Sequence, residues 1–167
     1  MYTTLADFEK TWAHESESTL ACLKVLTDAS LAQSVTTDDR TLGRIAWHLV
    51  GSIKEMMERT GLKVAGPADD APVPSSAHVI ATTYKQVCQS FLEGLKTQWS
   101  DETLRQTDSL YGETWKRGFT LDVLVRHQTH HRGQMTVLMR QAGLRVPGVY
   151  GPAREDWAAY GQPPPVV

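Results

Sequence analysis

The sequence lacks paired cysteines, basic clusters and long apolar runs, which are features that mark several common classes of protein. Its two cysteines, Cys22 and Cys88, lie far apart and outside any C-x-x-C pair, so buried reduced thiols are expected rather than a disulfide or a cysteine metal site. There is no cluster of lysine and arginine, and the formal net charge is -2, which predicts no nucleic-acid partner. No apolar run approaches the roughly 20 residues that span a bilayer, and the first residues lack the pattern of a signal peptide. We therefore expect a cytoplasmic protein without a membrane partner.

The residues that are present predict one all-α domain covering 1–167. Hydrophobic residues make up 41% and charged residues 22% of the chain, as in ordinary globular proteins. Apolar residues recur at three- and four-residue steps in four segments, which predicts four amphipathic helices. Helices with one apolar face each are expected to pack as a four-helix bundle. The predicted helices run from about Leu5 to Leu26, Thr41 to Thr60, Ala77 to Trp99 and Thr120 to Ala142.

The segments between these helices carry their own predictions. Thr37 or Asp38 is expected to cap the second helix, and Thr120 the fourth. A long crossover loop rich in Gly, Pro and Ala covers 61–76, and a short helical piece lies near the C-terminus, around 154–160. Between 100 and 118 the helical period breaks, which indicates short extended pieces around a turn at Tyr111 and Gly112. This segment leads into the fourth helix and could fold over one end of a site on that helix.

Three of the six histidines lie in one five-residue stretch, 127–131, inside the predicted fourth helix. His127 and His131 are four residues apart and therefore share the apolar face, whereas His130 lies to the side. His48 lies on the apolar face of the second helix, where a lone histidine is more often a core residue than a ligand. If the two faces meet in the bundle, His48, His127 and His131 supply three imidazoles, the ligand set of an open catalytic zinc site. The absence of an H-E-x-x-H motif disfavours a zinc protease.

The run His127-Gln128-Thr129-His130-His131-Arg132-Gly133-Gln134, together with Ala46-Trp47-His48-Leu49 upstream, resembles the DinB/YfiT-like superfamily over nearly the whole chain. The resemblance implies a DinB-like four-helix bundle, usually a homodimer, with a divalent metal ion held by His48, His127 and His131. It also implies thiol chemistry, since relatives include transferases that use bacillithiol, mycothiol or glutathione.

These observations predict a metal-dependent enzyme that transfers a low-molecular-weight thiol to an electrophilic small molecule. The catalytic group would be a thiolate or a water on the metal ion, with zinc or nickel as the foremost candidates. Two alternatives stay open at this point. One is a metal-dependent hydrolase, and the other is a non-catalytic, stress-related protein in which His130, Glu15 or a partner residue completes a closed metal site.

Other residues are weaker candidates for the site. Glu15 could support a metal-bound histidine, although a partly solvated helix flank is the more common place for such a residue. Tyr84 is expected to pack in the core with its hydroxyl at the pocket rim. Arg132 and Gln134 are expected to bind a carboxylate-bearing thiol or to pair across a dimer. Gly133, inside a helix, predicts close approach by a neighbouring helix.

Overall fold

A computed structural model describes residues 1–166 and consists mainly of four long helices, which confirms the predicted all-α bundle. The helices and strands are α1 (Leu5–Val25), α2 (Leu42–Glu58), α3 (Ala77–Gln98), β1 (Thr107–Leu110), β2 (Glu113–Lys116) and α4 (Arg117–Gln141). Short 3-10 helices lie at Asp28–Ala32, Asp101–Arg105 and Arg154–Tyr160. The two strands form an antiparallel hairpin whose turn is Tyr111 and Gly112, as the break in helical period predicted.

Two helix starts differ from the prediction. Thr41, rather than Thr37 or Asp38, caps α2, since its side-chain oxygen accepts a hydrogen bond from the backbone N–H of Arg44 at 3.1 Å. Helix α4 begins at Arg117, three residues before the predicted cap Thr120, which is buried inside the helix. The polypeptide passes from β2 directly into α4, so that no polar loop residue marks the boundary.

The helices form a four-sided arrangement in which α1 and α2 are each in contact with both α3 and α4. Consecutive helices α1 and α2 therefore lie on a diagonal, as do α3 and α4. Helices α2 and α3 pack side by side despite the long crossover between them. Because α2 also packs along α4, the apolar faces that carry His48 and the α4 histidines point towards each other.

An aromatic cluster holds the other side of the bundle together. Phe8 and Trp12 of α1 stack with ring centroids 5.8 Å apart, and Phe91 of α3 packs edge-on against Trp12 at 5.2 Å. All three side chains are fully buried, and each contributes on the order of 2 to 3 kcal/mol of hydrophobic stabilisation. Among residues 1–166, no helix has both the length and the apolar character of a membrane span.

Candidate metal centre

Helices α2 and α4 bring three imidazole rings together. His48 comes from the middle of α2, whereas His127 and His131 lie one turn apart on α4. The Nε2 atoms of His48 and His127 are 3.1 Å apart. One ligand nitrogen from each of the three histidines lies within 4.8 Å of the other two. The structure thus brings together the three histidines that the sequence placed on the apolar faces of two predicted helices.

The separation between His48 and His127 suits a shared ion. Two nitrogens bound to one tetrahedral zinc ion at 2.0–2.1 Å are about 3.3 Å apart, and the observed distance is 3.1 Å. The same distance also fits a hydrogen bond between two neutral imidazoles. Small movements of the rings are therefore enough to exchange this contact for a pair of bonds to a metal ion.

Hydrogen bonding fixes the orientation of the third ring. The Nδ1 atom of His131 lies 2.7 Å from the amide oxygen of Gln134, which can only accept a hydrogen bond, so Nδ1 carries the proton. The lone pair of His131 is then on Nε2, the atom available to a ligand. The Nδ1 atom of His127 is buried without a hydrogen-bond partner in the described part of the chain. This orphaned atom marks a ring that the surrounding protein leaves incompletely satisfied.

The environment keeps the rings neutral. Burial, followed by the charges of His131 and Arg40, lowers the pKa of His48 to about 4. Burial and the neighbouring histidines lower the pKa of His127 to about 4. Burial also lowers the pKa of His131, although the hydrogen bond with Gln134 opposes this effect. Neutral imidazole is the form that binds metal ions, so the donor set fits a divalent cation.

Two other predicted candidates, Glu15 and Arg132, form a buried ion pair. The carboxylate of Glu15 accepts a hydrogen bond from Arg132 Nη2 at 2.6 Å, and the two side chains are 4% and 2% exposed. Glu15 also accepts hydrogen bonds from Thr129 at 3.2 Å and from Tyr150. Its partners in residues 1–166 are thus these residues rather than a histidine of the triad. Arg132 is enclosed within its own chain and is not available to a thiol or to a second subunit, contrary to the expectation for it.

Tyr84 and Gln128 form a second buried polar group beside the triad. The Tyr84 hydroxyl donates to the amide oxygen of Gln128 at 3.1 Å, and the Gln128 amide nitrogen donates to the carbonyl of Leu49 at 3.0 Å. Tyr84 is 1% exposed and is a core residue. Gln128 follows His127 and Leu49 follows His48, so the hydrogen bond from Gln128 to Leu49 links α4 to α2 at the level of the three histidines.

The remaining two predictions concern the outer side of α4. His130 is exposed, and its ring centroid lies 4.9 Å from that of His131, but it is outside the group of three converging nitrogens. The predicted close approach at Gly133 is wrong, because a Cβ placed there would meet nothing within 4 Å.

Two cavities border the triad, and they are called here the front cavity and the rear cavity. The front cavity, of about 440 Å³, touches His48 and His127. Its floor is one stripe of α2, and its walls come from the crossover loop, α4 and the hairpin turn. Trp47 fixes the loop wall by donating from Nε1 to the carbonyl of Ala71 at 3.1 Å. The rear cavity, of about 550 Å³, touches His131 and Gln134. The front cavity is lined by Arg44, Trp47, His48, Gly51, Ser52, Glu55, Met56, Pro67, Ala68, Asp69, Ala71, Tyr111, Val123 and His127.

The hairpin turn closes one end of the front cavity. Tyr111 has a backbone φ of 53°, a left-handed conformation that is uncommon for a bulky residue. Its hydroxyl donates to Glu55 of α2 at 2.6 Å, and the guanidinium of Arg59 lies 4.8 Å from the ring centroid. The predicted folding of this segment over one end of the site is therefore confirmed.

Sequence reasoning missed Arg44 and Gln128 as parts of the site. Arg44 lies four residues before His48, so helical phase alone places it on the same face. Gln128 lies in the core stripe of α4 and is fully buried, and a buried amide requires hydrogen-bond partners. The break in helical period indicated the turn at Tyr111, but its contacts with Glu55 and Arg59 had no local signal because these residues are more than 50 positions away.

Comparisons with known proteins agree with the helical fold. The sequence model described as "DinB family" matches residues 1–164. An uncharacterized protein of Bacillus subtilis strain 168, YrdA, is 50% identical over 161 residues, which are 96% of each chain. A crystal structure of a DinB-like protein from Bacillus cereus ATCC 10987 is 48% identical, with a TM-score of 0.87 over 90% of this chain and 100% of that one. A DinB-like protein from Bacillus subtilis, 15% identical, shares the fold with a TM-score of 0.68 over 87% of this chain and 98% of that one.

Proposed function

Because the chain belongs to the DinB family, we propose that it is a metal-dependent enzyme that transfers a low-molecular-weight thiol to an electrophilic small molecule. His48, His127 and His131 would hold one divalent ion, zinc or nickel. The observation that supports this most directly is the convergence of three neutral imidazoles beside a cavity of about 440 Å³. A cavity of this size is within the range that encloses small-molecule ligands.

Three protein ligands leave room for a further ligand at the ion. Structural zinc sites use four protein ligands, whereas catalytic sites use three and keep one position for a substrate. Glu15 and His130, the residues considered as a fourth ligand, lie outside the converging group. When bound, the ion would favour the thiolate form of a thiol held there.

The protein's own thiols are poor candidates for the nucleophile. Cys22 and Cys88 are both buried. Burial raises the pKa of Cys22 to about 11 and that of Cys88 to about 12, so neither forms a thiolate readily at neutral pH. The sulfur would therefore come from an external thiol that enters the front cavity as a cosubstrate.

The transfer step is a substitution at carbon. The sulfur of the thiol forms a new bond to the electrophilic carbon, and the leaving group departs with its bonding electron pair. The thiol proton passes to solvent. The neutral histidines would hold the ion, and Trp47 and Val123 give the cavity beside them an apolar wall.

The family resemblance also supports a homodimer of single-domain chains. The mass of one chain is 18.6 kDa, so light scattering of the purified protein would give about twice that value for a dimer. A mass equal to that of one chain would contradict the proposed dimer.

Elemental analysis of histidine variants tests the metal site. Wild-type protein purified without chelator or a nickel column should contain about one metal ion per chain. Alanine replacement of His48, His127 or His131 should each abolish stable binding, because two ligands are too few. His130→Ala and His78→Ala are matched controls, since both rings are exposed, and both should retain the metal. Equal, near-zero metal in wild type and His48→Ala would refute the site.

Turnover assays test the chemistry. Metal-loaded protein should consume an electrophile only when a thiol is added, in a panel that contains bacillithiol, mycothiol, glutathione and coenzyme A. His127→Ala should lose this turnover. Turnover that proceeds with water alone would favour the hydrolase alternative, and no turnover at full metal occupancy would contradict the enzyme proposal.

A further inference from the structure

Two arginines differ from the others because they have no carboxylate partner. The sequence contains ten arginines. Within residues 1–166, only Arg40 and Arg44 have no carboxylate within 4 Å, and both flank the triad. The eight that are paired with carboxylates are Arg59, Arg105, Arg117, Arg126, Arg132, Arg140, Arg145 and Arg154.

Arg44 is an exposed residue of α2 that lines the front cavity. It lies four residues before His48 on α2, and both residues line that cavity. Two carboxylates line the same cavity, but both already have cationic partners. Glu55 is paired with Arg59, and Asp69 lies 3.5 Å from Lys54. The guanidinium of Arg44 is thus the unpaired charge among the groups that line the front cavity.

The rear cavity differs in this respect. Arg40 lines it together with Asp38 and Asp39, so acidic groups accompany the cation there. An anionic ligand would meet repulsion from these carboxylates as well as attraction to Arg40. The charge pattern therefore favours the front cavity for an anion.

The positive charge of Arg44 also acts on the metal ligands. Arg44 lies one helical turn before His48 on α2, so its positive charge opposes binding of a dication at the triad, since like charges repel. A ligand that brings a negative charge to Arg44 removes this repulsion, so metal and anion should bind with positive coupling.

We propose that the front cavity binds a small molecule that carries a carboxylate, which Arg44 holds while the thiol of the same molecule faces the histidine triad. Charge balance favours a carboxylate over a phosphate, since one guanidinium neutralises one negative charge. The planar guanidinium can also bind a carboxylate through two parallel hydrogen bonds. This inference rests on the proposed metal site and names the class of thiol that the site would take.

Cobalt-substituted protein offers a direct test, because a thiolate bound to Co²⁺ gives a charge-transfer absorption in the near ultraviolet. Titration with 3-mercaptopropionate, which is anionic, and 2-mercaptoethanol, which is neutral, gives a Kd for each thiol. The ratio of the two values, compared between wild type and variants, cancels the intrinsic difference in acidity between the thiols. Arg44→Gln should reduce the preference for the anionic thiol about tenfold, as expected for the loss of a charged hydrogen bond.

Arg40→Gln is the matched control. It removes the same charge close to the same histidines, but from the rear cavity. It should leave most of the preference for the anionic thiol intact. Arg44→Lys keeps the charge and should retain part of the preference. An equal ratio of Kd values in wild type and Arg44→Gln would overturn the proposal, and so would an equal loss in Arg40→Gln and Arg44→Gln.

A second measurement separates this proposal from the thiol function. If the cobalt protein shows no charge-transfer absorption with either thiol, the proposed thiol chemistry fails. In that case the carboxylate site is tested separately by measuring the Tm of the cobalt protein in propionate, which carries a carboxylate but no thiol. A rise in Tm that Arg44→Gln abolishes and Arg40→Gln retains supports the carboxylate site, and no rise overturns it. A larger rise with inorganic phosphate than with propionate overturns the choice of a carboxylate.

Discussion

Glu15 and Arg132 illustrate how much depends on a single buried charge. Three groups donate hydrogen bonds to the Glu15 carboxylate, and Arg132 also donates to the Glu15 carbonyl and to Thr19 at 3.0 and 3.1 Å. Burial raises the pKa of Glu15, but the hydrogen bonds from Tyr150 and Arg132 outweigh this effect and lower it below 4.5. The pair links α1 to α4 on the side of α4 that faces away from the triad.

Removing one member of this pair should destabilise the protein strongly. Glu15→Leu leaves the Arg132 guanidinium buried without a counter-charge, which costs about 3 to 5 kcal/mol. Replacing both residues, Glu15→Leu with Arg132→Met, removes both charges and should recover most of that loss. Urea unfolding measures the free energies. A double variant as unstable as Glu15→Leu would contradict this account.

The lowered pKa of Glu15 also predicts that the free energy of unfolding depends on pH. A carboxyl group whose pKa is lower in the folded than in the unfolded protein stabilises the fold above the unfolded pKa, and this contribution is lost as pH falls through the folded pKa. The free energy of unfolding that Glu15 contributes should therefore be constant near neutral pH and decline below about 4.5. Wild type and Glu15→Gln, unfolded in urea at a series of pH values, should converge in acid. A difference that stays constant down to pH 2 would argue against ionisation of Glu15.

At the scale of elements, the pairing of α2 with α4 determines the geometry of the triad. Gln128 lies between the two helices and donates to the Leu49 carbonyl, one residue from His48. Replacing Gln128 with leucine leaves the buried Tyr84 hydroxyl without its acceptor, which costs about 1 to 3 kcal/mol. We also expect weaker metal binding, because the two helices can then shift relative to each other.

Metal titration and urea unfolding of Gln128→Leu measure both effects. Tyr84→Phe is the control, since it removes a hydroxyl from the same group but leaves the bond from Gln128 to Leu49 in place. It should lower stability modestly and leave metal affinity unchanged. Unchanged metal affinity in Gln128→Leu would limit the role of this residue to stability.

Alanine substitution at the two glycines of α4 should have opposite effects on thermal stability. At Gly118, a Cβ would lie 2.1 Å from the Tyr2 carbonyl oxygen, so Gly118→Ala must displace the N-terminal residues and should lower Tm by several degrees. At Gly133, the space is open, and alanine gains roughly 1 kcal/mol through its higher helix propensity. Gly133→Ala should thus raise Tm by a few degrees. Thermal unfolding of both variants checks this, and a fall in Tm for Gly133→Ala would indicate a contact with another molecule.

Sequence patterns predicted the helices and the pair of His127 and His131 because both depend on local spacing, whereas His48 joins the pair only through the packing of α2 against α4. Apolar steps of three and four residues locate the helices to within a few residues, and the interval between His127 and His131 places both rings on one face. The start of α4 was predicted too late, since only the non-local contact of Gly118 with Tyr2 explains why a glycine lies in its first turn. The pair of Glu15 and Arg132 was missed for a similar reason, because the residues are 117 positions apart.

At the scale of the whole molecule, the core isolates the two cysteine thiols from solvent. Cys22 and Cys88 are 0% and 8% exposed. The folded protein should react very slowly with a thiol reagent such as dithionitrobenzoate, whereas the unfolded protein should release two equivalents of the coloured product. Rapid reaction of the folded protein would show that the core opens. The predicted inertness also means that thiol-transfer assays report the added cosubstrate alone.

The walls of the front cavity come from parts of the chain that differ in how well they tolerate amino-acid substitution. The triad occupies helices α2 and α4, whose packing leaves little freedom for substitution. Four lining residues, Pro67, Ala68, Asp69 and Ala71, instead belong to the crossover loop, which Trp47 fixes to α2 by one hydrogen bond. Substitutions in this loop can reshape the cavity while the bundle that carries the ligands stays intact. If the proposed function holds, the fold thus allows substrate preference to change while the three histidines keep their positions.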